Sequence, residues 1–309
     1  MGGTDLTMAT LGEILYNILA PILLVVGIAF LADRKLQLDS RALSRLLVYV
    51  FTPFLIFKGV AYSDLSGDEA GQLVAVAALM SVAVAVAAWG VAHRAGFDRQ
   101  LAAAFTLSAT LINAGNYGLP LNRFAFGAAG EERAVVFFMT TLLVSYTLGV
   151  FLASFGRLSA RGALRNVLTV PLPYAAALGL AVNVGDVALP LPVERAVFLM
   201  ADATIPIMLV VLGAQLSHAS VRGRIQPILL ASGLRLLLGP LIAVGLVALL
   251  GISGLTRQVA IVQSAMPTAV VTGVLASEFG ADAEFVTATI LVSTITSVVT
   301  LSVLLSVIM

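Results

Sequence analysis

The stretch Asn113-Ala114-Gly115-Asn116-Tyr117-Gly118-Leu119-Pro120 lies inside an apolar segment, and no continuous helix in lipid would choose it. Two glycines and a proline within eight residues weaken the helical ladder. Pro120 also lacks the N–H needed to bond back to Asn116. Amides and carbonyls freed in this way face either hydrocarbon, which is costly, or a polar cavity. Asn113 and Asn116 supply the polar lining of such a cavity. A packing kink needs a single proline, as at Pro53, Pro206 and Pro240, so the denser cluster reads as function.

The chain around it is built for lipid. Of its 309 residues 60% are hydrophobic and 11% charged, against about a quarter charged in an ordinary soluble domain. Spans of roughly 20 apolar residues recur along the whole chain. They are placed at 11–32, 41–60, 70–92, 100–126, 132–155, 166–185, 193–216, 225–250, 256–279 and 284–308. The expected fold class is therefore an all-α integral membrane protein of about ten transmembrane helices. The connections are short, so one membrane domain fills residues 1–309. The first apolar stretch is long enough to span and has no Lys or Arg before it, which speaks against a cleaved signal peptide.

The side holding the first loop carries Arg34, Lys35, Arg41, Arg45, Arg94, Arg99, Arg157, Arg161, Arg165, Arg222 and Arg224. The other side carries Lys58, Arg123, Arg133, Arg195 and Arg257. Eleven positive charges against five place the first loop in the cytoplasm and both termini outside.

The two halves match at an offset of about 153 residues, with Phe126-Gly127-Ala128 over Phe279-Gly280-Ala281 and Glu131 over Glu284. Pro21, Gly27 and Pro53 fall over Pro173, Gly179 and Pro206 when small insertions are allowed. Residues 11–155 and 166–308 then form two five-helix repeats. Five is odd, so the second copy enters the membrane from the opposite side, the inverted plan of many secondary transporters. The counterpart of the first cluster is Gln263-Ser264-Ala265-Met266-Pro267-Thr268, where Pro267 interrupts helix nine. When broken helices four and nine cross, their half-helix N-termini point at one midplane spot, and an anion is the natural occupant. Asn113, Gly115, Asn116, Tyr117, Pro120, Gln263, Met266, Pro267 and Thr268 are the candidate substrate-binding residues.

Charges at membrane depth extend the reading. Arg235 sits well inside helix eight, where an arginine costs about 2.5–3.5 kcal/mol, so a partner or a function is expected. Its planar fork suits a substrate carboxylate. A structural pairing with a buried acid or with helix-end carbonyls is the alternative. Asp202 lies mid-span in helix seven and reads as a buried acid, either coupling transport to protons or serving as a fixed ion-pair partner. Lys58 and Glu13 lie near helix ends, where snorkelling accounts for them.

Several functions lack their residues. There is no cysteine, and His93 and His218 stand far apart, so no metal site and no cofactor are expected. The net charge of +1 offers no basic patch for nucleic acid. H-E-x-x-H, G-x-S-x-G and the phosphate-binding G-x-x-x-x-G-K-[ST] are missing, which argues against protease, hydrolase and ATP-driven readings.

Asn113 to Leu121 with Phe126-Gly127, together with Ala265-Met266-Pro267-Thr268-Ala269-Val270 and Ser293-Thr294, resembles the auxin efflux carrier family of membrane transporters, which includes bacterial malate and malonate permease relatives. The resemblance spans essentially the full length. It implies a fold like that of bile-acid and sodium–proton transporters, with a mobile core holding crossed helices four and nine. It also implies a scaffold of helices one, two, six and seven, often dimeric, elevator-like movement of the core, and residence in the bacterial inner membrane. Plant members carry an Asn-Pro-Asn-Thr-Tyr crossover, where this chain has Asn113, Asn116 and Tyr117 without that proline. The expected function is secondary transport of small organic anions such as dicarboxylates or auxin-like carboxylates. The alternative is an anion channel or passive uniporter.

Overall fold

Short polar connections set the helix boundaries. Asp39, Ser66, Asp98 and Asp282 each cap a helix start by accepting hydrogen bonds from the first free amides. Ser66 and Glu69 do so reciprocally, as do Thr10 and Glu13. The computed structural model describes residues 10–153, 168–221 and 224–309. Arg157, Arg161, Arg165 and Arg222, part of the charge asymmetry above, lie outside the described residues.

The helices are α1 Leu11–Leu36, α2 Ser40–Ala61, α3 Gly67–Arg94, α4 Arg99–Thr110, α5 Ala114–Leu152, α6 Leu172–Val184, α7 Leu191–Ser217, α8 Ile225–Leu249, α9 Gly254–Ser264, α10 Val271–Phe279 and α11 Ala283–Ile308. Among the described residues every regular element is a helix. Seven of them, α1, α2, α3, α5, α7, α8 and α11, are long and apolar enough to cross a membrane. The protein is thus an all-helical, multi-pass membrane protein. The count of seven falls below the expected ten for physical reasons. Helices α4, α9 and α10 have 12, 11 and 9 residues and cannot span alone. Helix α6, at 13 residues, is likewise shorter than a span. Helix α5, at 39 residues, is about twice the length a bilayer core needs. It bends at Gly127, whose φ of 67° and ψ of −158° only glycine adopts without strain. The bend separates residues 114–126 from 128–152.

Four prolines inside long helices are accommodated by widened π-helical turns, whereas Pro206 lies within α7 without one. Leu15–Leu19, Leu47–Phe51, Ala114–Gly118 and Leu234–Leu238 precede Pro21, Pro53, Pro120 and Pro240. A widened turn moves the carbonyl that the ring would strike. The Leu47 carbonyl accepts twice from Thr52, from the amide that closes the widened turn and from the hydroxyl at 2.8 Å.

Helices α1, α2, α6 and α7 pack on one another. Glycines let the backbones approach: a Cβ on Gly213 would stand 2.4 Å from the Val26 carbonyl oxygen, and one on Gly179 would stand 2.9 Å from that of Phe57. A second group is formed by α3, α4, α5, α8, α9, α10 and α11. At one end of it Arg133 pairs with Glu69 at 2.7 Å and donates to the Thr256 hydroxyl at 3.0 Å. There the Gln258 amide also donates to the Ile308 carbonyl at 2.6 Å, bringing the starts of α3 and α9 and the end of α11 together.

Candidate functional site

Helix α4 stops at Thr110 because Leu111 turns extended, with φ −83° and ψ 120°. Helix α9 stops at Ser264, and α10 begins at Val271. The two interruptions lie against each other as a short antiparallel bridge between Ile112 and Thr268. The Asn113 amide donates to the Pro267 carbonyl at 2.8 Å, and the Ala269 amide donates to the Leu111 carbonyl at 2.9 Å. Each half of the chain therefore satisfies backbone groups that the other leaves free, as a non-helical segment at membrane depth requires.

The first interruption falls earlier than the glycines and Pro120 suggested. Ala114–Gly118 is already a helical turn, and Pro120 follows it, accommodated by the widening of that turn. The glycines serve close approach instead. A Cβ on Gly115 would lie 2.7 Å from the Phe138 ring, and one on Gly118 would lie 2.2 Å from Gln263 Oε1.

Most of the predicted site residues converge here. Thr268 donates its hydroxyl to the Ser108 carbonyl at 2.8 Å, and its amide donates to Ser293 Oγ at 3.2 Å. Gln263, fully buried, reaches the Ala114 and Ala134 carbonyls at 3.4 Å, while its Oε1 has no partner. Met266 and Pro267 are buried beside it. The Asn113 amide nitrogen Nδ2 is buried with no hydrogen-bond partner, and the buried Tyr117 hydroxyl lies against Ser297 of α11. Within Asn113–Pro120, Asn116 alone is partly open. The first amides of the turn at Ala114 have no intrahelical acceptor. The crossing thus keeps one buried unpartnered donor, Asn113 Nδ2, and one buried unpartnered acceptor, Gln263 Oε1, and the Ala114–Gly118 turn packs on α7.

Arg235, fully buried, bridges the ends of the two interrupted helices. Its Nη1 donates to the Ala109 and Thr110 carbonyls at 3.0 and 3.2 Å, and its Nη2 donates to the Ser264 carbonyl at 2.6 Å. These are the last carbonyls of α4 and α9. The helix-end alternative is the one the geometry realises, since both Nη groups are committed to carbonyls.

Asp202 departs from its reading as a buried acid. Its side chain is 67% exposed and pairs with Lys58 Nζ at 2.6 Å, which realises the ion-pair alternative. Depth along a helix does not fix the face on which a residue sits, and the mid-span position of Asp202 carried no information on that point. Lys58, read as snorkelling alone, is its partner and also lies 4.4 Å from the centre of the Phe198 ring.

The sequence reading named Ser293-Thr294 only as part of the family motif and not as part of a hydroxyl face of α11. Thr289, Ser293 and Ser297 are fully buried, and Thr294 beside them has an unpartnered hydroxyl. The spacing 289, 293, 297 puts three hydroxyls on one helix face, and that periodicity was available. Asn122, fully buried, donates to the Gly118 carbonyl at 2.8 Å and was also unforeseen.

The sequence profile described as membrane transport protein matches residues 14–157 and 157–305. An uncharacterized transporter of Methanothermobacter thermautotrophicus is 29% identical over 303 residues, covering 97% of each chain. An uncharacterized transporter of Methanocaldococcus jannaschii is 24% identical over 262 residues, covering 82% of this chain and 85% of its own. With both halves of its length matched, the chain belongs to the membrane transport protein family, the auxin efflux carrier-like group that its Asn113–Leu121 and Ala265–Val270 motifs resemble.

Proposed function

We propose that this protein is a secondary carrier for small organic anions, dicarboxylates or auxin-like carboxylates among them. The observation that carries the reading is the meeting of the two chain breaks, where helix starts at 114 and 271 flank a backbone bridge and the unpartnered amide of Asn113. A carboxylate there replaces its water with backbone amides, without a buried full charge having to be added. Asn113 and Asn116 orient it, and Tyr117 and Thr268 line the same spot.

In this reading α4 with residues 114–126, and α9 with α10, are the crossed helices four and nine. Residues 128–152 are helix five, which brings the spans to ten in two inverted repeats. The group α1, α2, α6 and α7 is the scaffold and the dimer face, the second group is the moving core, and both termini lie outside the cell membrane. Burial of all of Asn113–Pro120 except Asn116 favours a closed carrier site over the open pore of a channel.

The test is a thermal-shift screen of the purified protein against malonate, malate, succinate and indole-3-acetate, followed by flux of the best ligand into proteoliposomes. A stabilising carboxylate and saturable flux are expected. Ohmic current without saturation, or stabilisation by none of the acids, overturns the reading.

A further inference from the structure

Two helices end at the crossing with their carbonyls converging. Each C-terminus carries a macrodipole charge of about −0.5, so α4 and α9 together place about one negative charge in a site closed to water. In carriers of this inverted design, such half-helix C-terminal ends coordinate the mobile cation that is carried with the substrate. Here the carbonyls of Ala109, Thr110 and Ser264 are held at 3.0, 3.2 and 2.6 Å by the Nη groups of Arg235. The guanidinium is fully buried, and among the described residues it is held by carbonyls and, at 3.9 Å, by Met80 Sδ, with no carboxylate against it.

The surrounding backbone is shaped to this group. Gly239, one helical turn on, has no room for a side chain: a Cβ there would stand 1.8 Å from Arg235 Nη2 and 2.8 Å from the Ser264 carbonyl oxygen. The π-helical turn Leu234–Leu238 carries the residue, and Pro240 follows it. An arginine stays protonated at any physiological pH, so it cannot trade a proton at this position.

We infer that Arg235 is a tethered counter-cation, a positioning residue that permanently fills the place between the two helix ends which a mobile cation would otherwise occupy. It holds α4 and α9 together and offsets their charge, so that the anion site at the bridge works without added sodium, potassium or a proton at this spot. The inference rests on the carrier reading above and deepens it.

The experiment compares wild type, Arg235→Ala, Arg235→Lys and Gly239→Ala, purified as full chains. Unfolding midpoints and malonate affinity are measured in choline, sodium, potassium and methylguanidinium chloride at equal ionic strength. Wild type should show the same midpoint and affinity in choline, sodium and potassium. Arg235→Ala should bind malonate about tenfold more weakly in choline, a loss of the size that one helix-end charge produces, and should recover in sodium or methylguanidinium. Arg235→Lys should hold most of the affinity with no response to cations. Gly239→Ala keeps the charge but displaces the fork, and should lose affinity like Arg235→Ala.

A sodium or potassium requirement in wild type overturns the inference, as does a folded Arg235→Ala that ignores every cation. If Arg235→Ala does not fold, wild-type affinity for malonate in Gly239→Ala overturns it equally. Failure of wild type to bind any carboxylate would count against the carrier reading instead, and the unfolding midpoints would still decide the role of Arg235.

Discussion

Asn116 is the residue through which the crossing meets its surroundings, since its neighbours from Asn113 to Pro120 are buried and it is partly open. Asn113 offers a donor from the buried side, with Nδ2 unpartnered. A hydrogen bond to a charged acceptor contributes about 1.5–3 kcal/mol, so Asn116→Ala and Asn113→Ala should each weaken carboxylate affinity roughly ten- to a hundredfold. Isotherms on variants of matched unfolding midpoint check this, and unchanged affinity in both would place the site elsewhere. Gly118→Ala should act differently. Its Cβ would lie 2.2 Å from Gln263 Oε1 and would push that side chain off the Ala114 and Ala134 carbonyls. A loss of about 1–3 kcal/mol of stability is expected from such overpacking, read as a lower midpoint with or without ligand. Asp202 and Lys58 form the third residue-level case. Asp202→Asn leaves Lys58 without its partner near the end of α2 and, for a pair this exposed, should cost about 0.2–1 kcal/mol. Adding Lys58→Met should recover most of that loss, because removing both charges is cheaper than stranding one. A double-mutant cycle of unfolding free energies reads the difference.

At the scale of elements, the interruptions were legible because Pro267 and the Asn113–Pro120 cluster break local rules so plainly. Their exact seat was not, since Gly115 and Gly118 looked like helix weakeners and are contact points for Phe138 and Gln263. Close approach between distant segments leaves no mark in local sequence. Arg235 was legible as an anomaly of depth. Its carbonyl partners were visible as one alternative among three, because the ends of α4 and α9 come from segments 126 and 29 residues away. The bend at Gly127 was hidden for another reason: a lone glycine between apolar runs signals nothing until its φ is known. Topology is testable at this scale. Cysteines placed singly at Gly12 and Ile308 in this cysteine-free chain should both react with an impermeant thiol reagent added outside intact cells. A cysteine at Gln37, in the first loop, should not react. A protected residue 308 would sink the arrangement of five plus five.

Across the whole molecule both helix groups combine close glycine contacts with polar links. In the α1, α2, α6 and α7 group Gly179 and Gly213 meet backbone while Asn183 and Gln215 bond across helices, and in the other group Gly118 and Gly239 are close contacts while Arg133 ties Glu69 and Thr256. Arg133→Met should therefore loosen the end of the second group. Faster amide exchange in the first turns of α3 and α9, with α1 and α7 unchanged, is the expected result.

The bridge between Ile112 and Thr268 also bears on how the protein is made. When the ribosome has delivered residues 111–113 to the membrane, their partners at 265–270 do not yet exist, and the Asn113 amide and Leu111 carbonyl have no acceptor or donor of their own. Biogenesis must hold that segment in water or against the insertion machinery until the second half arrives. The centre of the protein is thus the last part to close. A chain severed between Ala153 and Leu168 should yield two halves that are protease-sensitive near residue 112 when made singly and protected when made together.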